Sequence, residues 1–149
     1  MTNEELKTSI SAHTPDTVFE ETQFLNATIP AEKFYSLAKE LLKADYDSLI
    51  CVTGVDWKDS MMVVYHLQSR KEKHVVVLKV KLTDRVNPNI DTVCDIWRTA
   101  EFHEREQAEM FGVKFLNHPD LRLLILPDGW EGKNPMRKDF EDMVNMIKL

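Results

Sequence analysis

The chain has 149 residues, enough for one domain with a real core and too few for two comfortable ones. Hydrophobic residues make up 43% and charged residues 30%, the balance of an ordinary soluble globular protein rather than a disordered or fibrous one. A net charge of -6 with no basic run argues against nucleic acid or an anionic membrane surface as a partner.

Residues 1–16 are polar, carry Pro15 near their end and are expected to form a flexible lead-in. Val18–Ile29 reads as a strand with Gln23, Leu25, Ala27 and Ile29 on one face, although Thr22, Phe24 and Asn26 disturb the alternation. Pro30 then opens a helix at the position where its missing N–H is harmless. Phe34, Leu37, Ala38, Leu41 and Leu42 recur at helical spacing and form one apolar stripe. Three strands follow. Leu49–Val55 is apolar on both faces, the pattern of a central strand, and Met61–Gln68 puts Val63, Tyr65 and Leu67 on one side. His74–Leu82 alternates, with Val76, Leu78, Val80 and Leu82 inward and Lys79 and Lys81 outward. The short charged link Ser69–Lys73 makes these last two strands a hairpin.

Asn87-Pro88-Asn89 breaks the chain, and Asn89 or Asp91 can cap a helix that runs, with a bend near Thr99, to Phe111. Gly112 sits where a left-handed residue ends such a helix, with apolar Val113 behind it. Beyond it, 117–140 carries Pro119, Pro127, Pro135, Gly129 and Gly132 without periodicity. The element order predicts an α+β fold: a mixed or antiparallel sheet with helices on one face and a long irregular C-terminal tail. The expected division is a flexible lead-in (1–16), an α+β domain (17–116) and an extended partner-docking tail (117–149).

Several chemistries are excluded by what the chain lacks. Two cysteines, Cys51 and Cys94, cannot supply the four thiolates of an iron–sulfur cluster, and both sit in apolar stretches of the kind that keeps a thiol in a core. His103-Glu104-Arg105-Glu106-Gln107 resembles the zinc-protease helix motif but has Gln107 where the second histidine is required. Four scattered glycines cannot build a dinucleotide or triphosphate loop, and none of the five histidines sits in a nucleophile motif. No signal peptide, basic presequence or membrane-spanning run is present, so any membrane association is expected to come through partners.

One acid stands out. Glu104 shares a helical face with Trp97, Ala100, Ala108 and Phe111, inside the only stripe able to be buried. A buried carboxylate needs a partner, and Arg122, Arg137 and Lys138 in the tail are the available cations. Glu104 is therefore expected to pin the tail to the helix, with proton relay the alternative role. The tail itself joins fixed turns to Leu121, Leu124, Ile125, Leu126 and Trp130, a composition suited to docking on another surface or on its own domain.

Five ordered motifs carry a resemblance: Glu104-Arg105-Glu106, Met110-Phe111-Gly112-Val113, His118-Pro119-Asp120-Leu121-Arg122, Leu126-Pro127-Asp128-Gly129-Trp130-Glu131-Gly132 and Pro135-Met136-Arg137-Lys138-Asp139-Phe140. Together with Val52-Thr53-Gly54-Val55-Asp56-Trp57 and Val64-Tyr65-His66-Leu67 they resemble the respiratory complex I 30 kDa subunit family, from about residue 17 onward. The resemblance implies the C-type subunit of a proton-translocating NADH:quinone oxidoreductase, a non-catalytic scaffold of the peripheral arm. It implies a peripheral position on the cytoplasmic face of the bacterial inner membrane. Implied partners are the large, 49 kDa-type quinone-pocket subunit and neighbouring iron–sulfur subunits. NADH, FMN, the clusters and quinone belong to those other subunits, and this chain binds no cofactor or metal. Glu104, Arg105 and Glu106 correspond to the helix signature. His118, Asp120, Arg122, Trp130, Arg137, Lys138 and Asp139 correspond to tail anchoring and the subunit interface. The chain departs from the pattern at Glu109, Asn117, Leu123, the Lys133-Asn134 spacing and Glu141, which bears on the path of the tail. Its end at Leu149 points away from a form fused to the large subunit. The alternatives are the equivalent subunit of a membrane-bound energy-converting nickel–iron hydrogenase, and a free-standing binding domain or enzyme with its site under the tail.

Overall fold

The computed structural model describes residues 2–144. Period-two alternation in five segments, β1 (Val18–Glu21), β2 (Leu25–Pro30), β3 (Ser48–Asp56), β4 (Met61–Ser69) and β5 (His74–Leu82), builds one sheet in the order β1-β2-β5-β4-β3. Within this sheet only β2 and β5 run parallel, the chain between them crossing over through the helix Ala31–Lys43, β3 and β4, whereas β4 and β5 form the expected hairpin. Leu25, Ala27, Ile29, Val63, Tyr65, Leu67, Val76, Leu78 and Val80 line one face and are buried. Burying each aliphatic side chain there contributes about 1.5–3 kcal/mol.

Three helices cover that face: α1 (Asn3–His13), α2 (Ala31–Lys43) and α3 (Ala100–Phe111). The α2 stripe of Phe34, Leu37, Ala38 and Leu41 is buried as expected, while Leu42 lies at its rim, 40% exposed. A short parallel pair, β6 (Asn89–Asp91) and β7 (Lys114–Leu116), brackets α3.

Four expectations are corrected. The flexible lead-in is instead the helix α1, held by a capping box in which Thr2 accepts from the Glu5 amide and Glu5 accepts from the Thr2 amide. Leu6 and Ile10, one turn apart, bury it in the core, and Lys7 pairs with Glu21 at 2.7 Å. The single strand 18–29 breaks at a turn in which the Asn26 amide donates to the Thr22 hydroxyl and the Phe24 carbonyl. β3 is an edge strand, not a central one. Its second apolar face is only partly covered, and Ile50 bulges outward, 47% exposed. Finally, the last helix starts at Ala100 rather than near Asp91, because Asn89–Asp91 pairs with β7 and 92–99 is a turn. Trp97 therefore lies outside α3, with its indole N–H donating to the Tyr46 carbonyl.

Candidate functional site

Helix α3 is the organising element, and its successive side chains grip three different parts of the molecule. Facing β3, the Gln107 side-chain oxygen accepts from the Gly54 amide at 2.7 Å. The helix comes so close that a Cβ on Gly54 would lie 2.5 Å from the Phe111 ring. Only glycine allows that approach. Gly112 ends the helix in the left-handed conformation, with φ at 74°.

Glu104 points into the core and is fully buried. One of its oxygens accepts from the Val93 amide at 3.0 Å, and the other from the Thr92 hydroxyl and the Cys94 thiol. The acid thus ties α3 to the turn after β6. His118 Nε2 lies 3.8 Å from the same carboxylate, but this is not an ion pair. The Asp120 amide donates to His118 Nδ1, so that nitrogen carries no proton. Nε2 therefore holds the ring's single proton and faces the Glu101 carbonyl at 3.1 Å. Burial raises the Glu104 carboxyl above its ordinary value, against the opposing hydrogen bonds of Thr92, Val93 and Cys94 and the nearby His118.

Burial likewise pushes the Cys94 thiol up to about 12 and the nearby Tyr65 hydroxyl well above its usual range. The Tyr65 hydroxyl has no hydrogen-bond partner among the described residues. The ligating atoms of Cys94, Glu104 and His118 lie within 4.8 Å of one another, a spacing compatible with a metal ion. The hydrogen bonds do not fit one. Ligation through Nε2 would need the imidazole proton on Nδ1, where the Asp120 amide already donates. The cluster is a buried pin.

The outer side of α3 holds the tail. Arg105 donates to the carbonyls of Arg122 and Leu123 at 2.9 and 2.8 Å. One turn on, Glu109 accepts from the amides of Leu124, Ile125 and Leu126 at 2.9, 2.9 and 3.3 Å. Further along, Asp56 at the end of β3 accepts from the Arg85 guanidinium and from the Lys58 and Lys138 amides. Burial alone would raise its pKa, but those amides and the guanidinium hold it at about 2. Asp139 bridges Arg85 and Arg137, while Arg137 also donates to the Arg85 and Phe111 carbonyls. Trp130 packs near Phe140, ring centroids 6.4 Å apart, with the Lys133 ammonium 4.4 Å above its ring. The tail through Phe140 is therefore strapped to its own domain at both ends.

A family model described as "Respiratory-chain NADH dehydrogenase, 30 Kd subunit" matches residues 27–143, which include all of these contacts beyond α1 and β1. This chain belongs to that family. It is 38% identical over 123 residues to the C/D-type subunit of NADH-quinone oxidoreductase from Phocaeicola vulgatus, covering 81% of this chain and 24% of that one. It is 40% identical over 102 residues to the C-type subunit of F(420)H(2) dehydrogenase from Methanosarcina mazei, covering 67% of this chain and 64% of that one. Among solved structures, a component of "the membrane-bound sulfane sulfur reductase (MBS), an archaeal respiratory membrane complex" superposes with a TM-score of 0.81 at 28% identity, covering 95% of this chain and 86% of that one. The chain thus spans from about a quarter to under two thirds of these curated relatives.

Within this member of the 30 kDa family, the expected residues divide sharply. Arg105, expected only as part of the helix signature, donates to the tail backbone, Arg137 and Asp139 bond to Arg85, and Lys138 contributes its backbone amide to Asp56. Glu104 meets no lysine or arginine among the described residues: Arg122 pairs with its neighbour Asp120 at 2.7 Å and is 84% exposed, and Arg137 and Lys138 lie at the other end of the tail. The expected Glu104–arginine link is corrected to Thr92, Val93 and Cys94. The Glu106 side chain is half-buried and makes no hydrogen bond or ion pair among the described residues. Asp120 holds a local turn, and His118 is buried under α3. Glu109, Gln107, Asp56 and Arg85 carry as much of the architecture, although the motifs do not mark them as anchors. For Glu109 a signal exists, since it follows Arg105 by one helical turn and faces the same way.

Proposed function

We propose that the chain is the C-type subunit of a proton-translocating NADH:quinone oxidoreductase, a cluster-free scaffold that docks the large quinone-pocket subunit. Family membership carries this reading. The Phocaeicola vulgatus relative is named C/D and this chain corresponds to 24% of it, so a D-type subunit is the natural neighbour. The strapped tail supplies a docking surface. Leu121, Leu124, Ile125 and Met136 are exposed although their backbone is fixed, as is Phe102 on α3. A surface ordered before binding loses less entropy on association.

No helix among the described residues is long and apolar enough to cross a membrane. The proposed position is peripheral, on the cytoplasmic face of a bacterial inner membrane, held by partner subunits. NADH, FMN, iron–sulfur clusters and quinone are assigned to those partners, and this chain takes no chemical step.

A second reading follows from the relatives named for F(420)H(2) dehydrogenase and sulfane sulfur reductase, and includes energy-converting hydrogenases. All use the same scaffold with another electron donor or acceptor. Purifying the tagged chain from solubilised membranes, identifying its companions and assaying quinone reduction with NADH tests both. Companions that include a flavin subunit, together with NADH-dependent quinone reduction, support the first. A large subunit bearing nickel-ligating cysteines, or no activity with NADH, overturns it.

A further inference from the structure

A cleft of about 500 Å³ opens at the carboxyl ends of β2 and β5, beside the first turn of α2. Its floor is apolar, from Ile29, Leu82, Ile90 and Leu116. Its rim carries four acids, Asp16, Glu32, Asp84 and Asp91, against one cation, Lys81. Elsewhere several acids are matched, Glu20 with Lys79, Glu21 with Lys7, Asp45 with Lys71 and Asp47 with Arg70, whereas Glu106, Asp128, Glu131 and Glu141 have no side-chain partner among the described residues. Among the described residues the side chains of Asp16, Glu32 and Asp91 make no hydrogen bond or ion pair, and Asp84 accepts only from the backbone amides of Val86 and Asn87. Four acids against one lysine therefore ring one concave, apolar-floored site.

Charge of one sign around an apolar floor selects an occupant of opposite sign that also carries aliphatic surface. A single metal ion does not satisfy this. Cys94, Glu104 and His118, not the cleft acids, form the one group with ligand atoms close enough for an ion among the described residues. The four carboxylates are spread along a rim, which suits an extended chain segment.

We infer that this cleft receives a basic, aliphatic segment of a neighbouring protein subunit, with lysine or arginine side chains on the acidic rim and aliphatic ones on the floor. The site lies apart from the α3–tail surface, so it gives the chain a second contact within the assembly. The inference rests on the proposed subunit role.

Carbodiimide labelling of carboxylates with a glycine ester, read by mass spectrometry, compares the isolated chain with the chain in its purified complex. Asp16, Glu32, Asp84 and Asp91 are expected to label in the isolated chain and be protected in the complex. Exposed acids elsewhere, such as Asp59, report the general level. Zero-length cross-links from these acids to lysines of one neighbouring segment are the positive sign. The paired variant Asp16→Lys, Glu32→Lys is expected to fold with an unchanged melting temperature and to lower recovery of the complex about tenfold, more so at low salt. Equal labelling in a chain that still co-purifies with its partners overturns the cleft assignment and leaves the subunit role standing. A chain that purifies with no partner overturns both.

Discussion

Arg105 and Glu109, one helical turn apart on α3, hold opposite polarities of the same irregular stretch of tail: Arg105 takes its carbonyls at 122–123, Glu109 its amides at 124–126. A segment without secondary structure thereby gains the backbone partners that a sheet would give it. Glu109→Ala leaves three amides without an acceptor, at a cost of about 1–3 kcal/mol. Hydrogen exchange at Leu124, Ile125 and Leu126 is expected to speed up while β4 and β5 stay protected. Glu109→Gln, which keeps one accepting oxygen, is expected to lie between. Unchanged exchange at those amides would remove the clamp.

Glu104 and Asp56 impose opposite pH dependences. Burial raises the folded pKa of Glu104, so its contribution is fully present below its ordinary value of 4.5 and is lost as pH rises through the folded value. Asp56, held at about 2 against an ordinary 3.8, contributes fully above 3.8 and loses that as pH falls through about 2. Glu104→Gln keeps an oxygen for the Val93 amide without a charge to bury, and is expected to flatten the decline in stability above pH 4.5. Glu104→Ala, which orphans that amide, is expected to lose about 2–4 kcal/mol. Denaturant melts at several pH values separate the two. A wild-type decline that persists in Glu104→Gln assigns it to another group.

Gly54→Ala tests the close approach of α3 to β3. The added methyl meets Phe111 and the Gln107 oxygen, so helix or strand must shift. A loss of about 1–3 kcal/mol is expected, read as a lower melting temperature. A variant as stable as wild type would mean that the helix gives way freely.

Arg137→Ala and Lys138→Ala should differ although the residues are adjacent. Arg137 donates to two backbone carbonyls and pairs with Asp139, whereas the Lys138 side chain is exposed and only its backbone amide is used. Protease cleavage near 127–140 is expected to accelerate in the first and not in the second. Equal rates would contradict the anchoring assigned to Arg137.

The sheet and α2 were legible because their periodicities are local: alternating valines and leucines in β5, and a four-residue stripe in α2. α1 was missed, because a polar composition masked its capping box and the Leu6/Ile10 pair. The burial of Glu104 could be read from helical spacing, its partner could not. Thr92, Val93 and Cys94 reach it through a turn whose backbone the sequence pattern does not specify. The tail shows the same limit, since amides and carbonyls do most of the holding and every residue type has them.

The most direct test of a preformed docking surface is recovery of the assembled complex with the double variant Arg105→Ala, Glu109→Ala. The sheet and α2 make no use of either side chain, so the isolated chain is expected to keep its cooperative melt with the tail released. Affinity purification through this subunit is then expected to yield much less of its large partner than wild type. Full recovery of the complex with a demonstrably released tail would contradict the scaffold role assigned to the strapped tail.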